Sequence, residues 1–164
     1  MPIEHLAVPR EITFMAHVND LALEKMREGQ GGPFGAVIVR DQEIIAEGWN
    51  RVTSDNDPTA HAEIVAIRTA CTRLGRFDLV GCEIYSTCEP CPMCLGAIYW
   101  AHLGKIYYSL TSKDAARIGF DDEFIYRQFS LPTAQRKIPL IRIVPGNANL
   151  AFREWEKSPT RKRY

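Results

Sequence analysis

The chain has 164 residues, 46% of them hydrophobic, with 20 Lys and Arg balanced by 20 Asp and Glu. That is the length of one domain, able to bury about two-thirds of its unfolded surface around a single core. Zero net charge argues against a protein that grips long nucleic acid by its phosphates, and no apolar run approaches the roughly 20 residues of a membrane span.

The opening residues, from Met1 to Glu11, lack the basic start and apolar block of a secretory signal, so a cytoplasmic protein is expected. Residues 11–28 carry Ile12, Met15, Ala16, Ala22, Leu23 and Met26 at near-helical spacing. This predicts an amphipathic helix, ended by the glycine-rich run from Gly29 to Pro33. Residues 36–39 and 44–46 are β-prone runs joined by residues 40–43, an antiparallel hairpin. A polar loop over 51–58 precedes a helix from Ala60 to about Leu74, which Asp57 or Thr59 is placed to cap. Residues 82–87 alternate like a strand, 89–92 form a turn, and 91–102 make a second buried helix. A strand over 105–110, helical pieces at 114–118 and 123–129, a strand at 140–144 and a helix at 150–157 complete the chain. No repeat or linker divides it, so an α/β sandwich around one mixed sheet is expected.

Five cysteines are an odd number, and three of them fall within the short run from Cys88 to Cys94. That is a poor disulfide framework and a plausible metal or redox site. Two segments carry the chemistry: His61-Ala62-Glu63, and Pro90-Cys91 with Cys94 three residues further on. Each opens a predicted helix. Cys91 and Cys94 point their sulfurs the same way, and a helix N-terminus favours the thiolate that metals bind. With His61 facing them, three protein ligands leave the fourth position of a zinc ion open to water, which marks a catalytic site. Such zinc lowers the pKa of bound water toward ~7. Glu63, beside the ligands and not one of them, is placed to move protons. H-x-E followed by P-C-x-x-C is the signature of the zinc nucleobase deaminases.

Each motif alone has a plainer reading: H-x-E as a solvated helix start, and C-x-x-C as a redox pair or half of a structural zinc site. Cys88, in step with Cys91 and Cys94, offers a Cys₃His structural cage as a further alternative. Glu89 and Pro90 intervene, however, and Cys88 falls at a strand end, so it is read as a packed cysteine. Cys71 and Cys82 read as core.

The chain resembles the cytidine deaminase-like superfamily in the segments from Asp57 to Glu63 and from Cys88 to Trp100. Within it the chain is similar to the bacterial guanine deaminases in Tyr99-Trp100, in the segment from Ala115 to Tyr126, and in the tyrosine-ended tail. The first two segments also occur in similar form in tRNA adenosine deaminases. The resemblance implies a three-layer α/β/α sandwich around a five-stranded mixed sheet, in a single domain over residues 1–164. It also implies a homodimer whose C-terminal segment, from about residue 147 to 164, crosses to the partner. One zinc per subunit and hydrolysis of guanine to xanthine and ammonia follow from it, with a small purine as substrate. By motif position, Glu63 is the proton carrier and His61, Cys91 and Cys94 are the zinc ligands. Asn50 and the backbone N–H of Ala62 bond the purine, Asp122 contacts its amino edge, Tyr164 closes the neighbouring site, and Phe34 and Trp100 pack around the ring.

A neutral base agrees with the charge balance. Its N1–C2–N3 edge suits an anionic Asp122, and its carbonyl side suits Asn50. The rival substrates are guanosine, cytosine or a tRNA adenosine met by Arg161, Lys162 and Arg163. From another class, the rival is a non-catalytic zinc module.

Overall fold

The computed structural model describes residues 9–163 and falls into two compact units, Met1–Glu123 and Phe124–Tyr164. In the first unit, α1 (Arg10–Arg27) precedes a hairpin of β1 (Gly35–Arg40) and β2 (Glu43–Trp49). Asp41 and Gln42 both take positive φ, 49° and 67°, in the two-residue turn whose twist matches that of the strands. A short α2 (Val52–Asp55), α3 (Ala62–Leu74), β3 (Glu83–Cys88), α4 (Pro92–Trp100), β4 (Lys105–Leu110) and α5 (Ser112–Arg117) follow, and α6 (Glu123–Ser130) begins at the unit's last residue.

The sheet runs in the order β2-β1-β3-β4, antiparallel except for the β3–β4 pair, where α4 makes the crossover that a parallel pair requires. Alternation along β1 explains the layers. Val37 and Val39 join Val18 and Leu21 of α1 and Tyr85 on one face. Ala36 and Ile38 join Ala62, Ala66 and Ala70 of α3 and Ile98 of α4 on the other. With both faces covered, β1 is a nearly unbroken apolar run, and each large side chain so buried contributes about 1.5–3 kcal/mol.

Small residues bring α3 hard against the sheet. A Cβ on Gly48 would lie 2.3 Å from the Ala62 carbonyl oxygen and 2.4 Å from the Ala66 nitrogen. Only glycine lets the start of α3 settle there, and that start carries His61 and Glu63.

The expected sandwich around a mixed sheet is present, with four strands among the described residues where five were expected. Residues 140–144 are not a strand: the segment has β-prone residues but no ladder partner among the described residues. The loop expected over 51–58 contains α2, a single turn closed by Asn56 in the left-handed conformation and too short to show a periodicity. The α3 cap is neither Asp57 nor Thr59. His61 occupies the cap position in extended conformation, and Asp57 instead accepts from the N–H and hydroxyl of Thr59 in the preceding turn.

The second unit consists of the remainder of α6, a 3-10 turn (Thr133–Gln135) and α7 (Leu150–Lys157). Arg136 donates to the carbonyls of Phe129 and Leu131, and Gln128 accepts from the Lys137 N–H. Ile138, Leu140, Ile141, Ile143, Val144 and Phe152 all stand exposed. Among the described residues no helix is long and apolar enough to cross a membrane.

Candidate active site

Two helix starts converge. His61 is the cap residue of α3 and Cys91 that of α4, both extended, with Pro92 at the first helical position fixing the entry of α4. Cys94 lies one turn into α4 and is fully buried. His61 Nδ1 is 3.6 Å from Cys91 Sγ and 3.6 Å from Cys94 Sγ, and the three ligand atoms lie within 4.8 Å of one another. Zinc–sulfur bonds of about 2.3 Å and zinc–nitrogen bonds of about 2.0–2.1 Å set a tetrahedral N···S edge of about 3.6 Å. The donor set and its spacing therefore fit one zinc ion with a single position left over.

The two thiols are shifted in opposite directions. A hydrogen bond from Cys94, helped by His61, holds Cys91 down to about 4, while Cys94, the donor in that bond and buried, is pushed upward. His61 is raised chiefly by its bond to Cys91. Cys88 stands apart: its thiol donates to the Thr111 carbonyl at 3.5 Å, and burial pushes it up to about 11. The ligand cluster does not include it, which removes the Cys₃His cage.

Glu63, in the first turn of α3, is 7% exposed. Ser86 of β3 donates to its Oε1 at 3.0 Å, and the Cys94 thiol reaches its Oε2 at 3.4 Å. Burial raises its pKa, as suits a carboxylate that holds a proton in passing.

A cavity of about 490 Å³ opens over this cluster, lined among others by Gly31, Gly32, Phe34, Asn50, His61, Glu63, Cys91, Phe120 and Asp122. Its size is within the range of small-molecule sites. Asn50 is buried, and its Oδ1 accepts from the N–H groups of Gly32 and Val52, each at 3.3 Å. The acceptor is thereby committed to the backbone, which turns the amide nitrogen into the group available to a ligand. Gly31 is required at this point, because a Cβ there would fall 1.9 Å from the Asn50 carbonyl oxygen.

Asp122 lies on the wall, its pKa raised first by burial and then by the Cys91 thiolate. Its neighbour Asp121 accepts from the Glu123 N–H at the start of α6, at 3.1 Å, while Asp122 lines the cavity. Phe34 meets Phe120 edge to face, at 4.8 Å and 89°.

Sequence reasoning missed Phe120 as a site residue. Its signal was present, since it follows Gly119 inside the segment from Ala115 to Tyr126 that carries the resemblance. Two expected contacts are not among the residues lining the cavity: Ala62 is buried, and Trp100, at the end of α4, is 64% exposed. Tyr164 lies outside the described residues.

Residues 9–110, which include all three ligands, match the family model of the cytidine and deoxycytidylate deaminase zinc-binding region. The chain is 49% identical over 152 residues to a guanine deaminase of Bacillus subtilis, covering 93% of this chain and 97% of that protein. Its fold matches the X-ray structure of guanine deaminase from Bacillus subtilis with a TM-score of 0.90 over 93% of this chain and 98% of the other. A tRNA-specific adenosine deaminase of Agrobacterium fabrum is 42% identical over 120 residues, 71% of this chain and 76% of that protein. The metal of this site is zinc, by the zinc-binding region matched over residues 9–110 and by the clustering of His61, Cys91 and Cys94.

Proposed function

The chain belongs to the cytidine and deoxycytidylate deaminase zinc-binding family, and from that premise we propose that it hydrolyses guanine to xanthine and ammonia. The observation that carries the reaction is the position of Glu63. Its carboxylate touches the ligand set through Cys94, is not part of that set, and faces the cavity. A structural zinc site has no use for a carboxylate so placed. The choice of guanine is supported by the 49% identity over nearly the whole of both chains.

Bound by His61, Cys91 and Cys94, zinc supplies Lewis-acid activation of a water molecule. The chain's own residues do the rest. The Asn50 amide nitrogen donates to the C6 carbonyl of the purine. Asp122 accepts from the N1–C2 edge, and Phe34 flanks the ring together with Phe120. Glu63 takes a proton from the attacking water and passes it to the amino nitrogen leaving C2, so that guanine and water become xanthine and ammonia.

The full enzyme is a homodimer in this reading, with the segment from about residue 147 onward crossing to the partner and Tyr164 closing the neighbouring cavity. The exposed apolar side chains from Ile138 to Val144 support an assembly that covers them, since monomers seldom expose such a patch. The five free cysteines suit the reducing cytoplasm. Sedimentation at micromolar concentration tests the dimer, and a monomer would overturn it.

The activity is tested by ammonia release from guanine, guanosine, adenine, cytosine and cytidine with zinc-loaded protein. Turnover of guanine alone is expected. Deamination of a tRNA adenosine with none of guanine would overturn the reading.

A further inference from the structure

We infer that Ser86 is the positioning residue for Glu63: its hydroxyl fixes one carboxylate oxygen and so leaves the other to carry the proton. This rests on the proton-carrying role given to Glu63 above. Ile84, Ser86 and Cys88 alternate onto the α3-facing side of β3, where Ile84 packs into an apolar cluster of alanines and isoleucines. Ser86 is 1% exposed in that setting. A buried hydroxyl among apolar neighbours costs free energy unless it is bonded, and the partner of Ser86 is Glu63 Oε1, at 3.0 Å.

The two contacts to the carboxylate are not equivalent. Oε2 receives the Cys94 thiol at 3.4 Å. Cys94 is one of the three clustered ligands, whereas Ser86 belongs to β3 and stands outside the ligand set. Oε1 is tethered to the sheet, while Oε2, beside a ligand sulfur, is the oxygen on the metal side of the carboxylate. The tether also sets the carboxylate's orientation from rigid structure, because β3 lies between two paired neighbours. Partners that orient groups around a metal commonly contribute 10- to 100-fold to activity.

The test compares zinc-loaded wild type with Ser86→Ala and Ser86→Thr, by zinc content, by kcat and KM separately, and by a high-resolution structure of each. Ser86→Ala is expected to keep one zinc per chain and a KM within about twofold of wild type, while kcat falls by roughly 10-fold or more. Ser86→Thr, which restores the hydroxyl, is expected to recover most of kcat. Wild-type kcat in Ser86→Ala would overturn the proposal, and so would an equal loss in Ser86→Thr and Ser86→Ala with zinc retained. The structural readout needs no substrate. If zinc-loaded wild type shows Glu63 turned away from the Ser86 hydroxyl, the tether is refuted even if guanine proves to be the wrong base. Failure of guanine turnover with the Ser86–Glu63 bond intact would instead count against the substrate alone.

Discussion

His61 and Cys91 hold the same position in two different helices, each the residue immediately before the first turn, and their ligand atoms meet 3.6 Å apart. Neither helix uses its cap side chain to bond its own amides. Both give that side chain to the metal, so zinc joins the start of α3 to the start of α4. Removing it should loosen that junction as well as stop the chemistry. At free zinc of 1,000 times the dissociation constant, binding stabilises the folded state by about 4 kcal/mol, or roughly 8–16 °C in Tm for a chain of this size. Chelation followed by calorimetry should show a drop of that order, recovered on adding back one equivalent. Cys91→Ser should show the lower Tm from the outset and no recovery.

Glu63→Gln separates metal binding from proton transfer. The amide is isosteric with the carboxylate and can still accept from Ser86, so zinc content should stay at one per chain. Turnover should fall by roughly 10²–10⁴-fold, the usual contribution of a positioned acid–base group. Metal analysis alongside steady-state ammonia release checks both halves. Activity near wild type would remove Glu63 from its role.

The acid limb of stability has a local contribution at α5. Thr111 and Asp114 form a reciprocal capping box, the Thr111 hydroxyl accepting from the Asp114 N–H while the Asp114 carboxylate accepts from the Thr111 N–H and hydroxyl. The carboxylate's pKa is thereby lowered below 3.8, first by the hydroxyl and then by the backbone bond. A depressed carboxylate stabilises the fold above its unfolded pKa and loses that contribution as pH falls through the folded value. Asp114→Asn should therefore lower Tm at pH 7, with the gap to wild type closing as pH drops below 3.8. Metal-free protein is the right sample, since zinc is itself lost in acid.

The zinc site was legible because its information is local. His61, Cys91 and Cys94 each sit at a helix start that proline, spacing and residue type announce, and the structure needed only to bring two starts together. Asn50 and Asp122 were different. Nothing in their own neighbourhoods distinguishes a turn asparagine or a helix-capping aspartate from a site residue, so only the resemblance named them. The fold then divides the work between Asp121 and Asp122, one on the Glu123 N–H and one on the cavity wall. Phe120 lay inside the resembling segment, but its own neighbourhood did not single it out, because its role depends on meeting Phe34 across 86 residues of chain. Residues 140–144 show the opposite failure. Their composition favours a strand, but a strand exists only where a ladder partner does.

Asn50 gives the sharpest test of the substrate reading, because its two ends do separate work. Oδ1 accepts from Gly32 and Val52, tying the glycine loop to the cavity wall, while the amide nitrogen is the group proposed to donate to the C6 carbonyl. Asn50→Asp keeps an acceptor for both backbone groups and deletes the donor. Its fold and zinc content should be preserved, with Tm within a few degrees of wild type. Its kcat/KM for guanine should fall by roughly 100-fold or more, since a carboxylate would then face a carbonyl oxygen across the site. Asn50→Ala loses both functions. It should combine the same kinetic defect with about 1–3 kcal/mol of destabilisation from two backbone N–H groups left without their acceptor. Thermal melts read beside guanine kinetics distinguish the two variants. If Asn50→Asp deaminated guanine at the wild-type rate, the donor assigned to Asn50 would be wrong and the purine would have to lie in a different orientation.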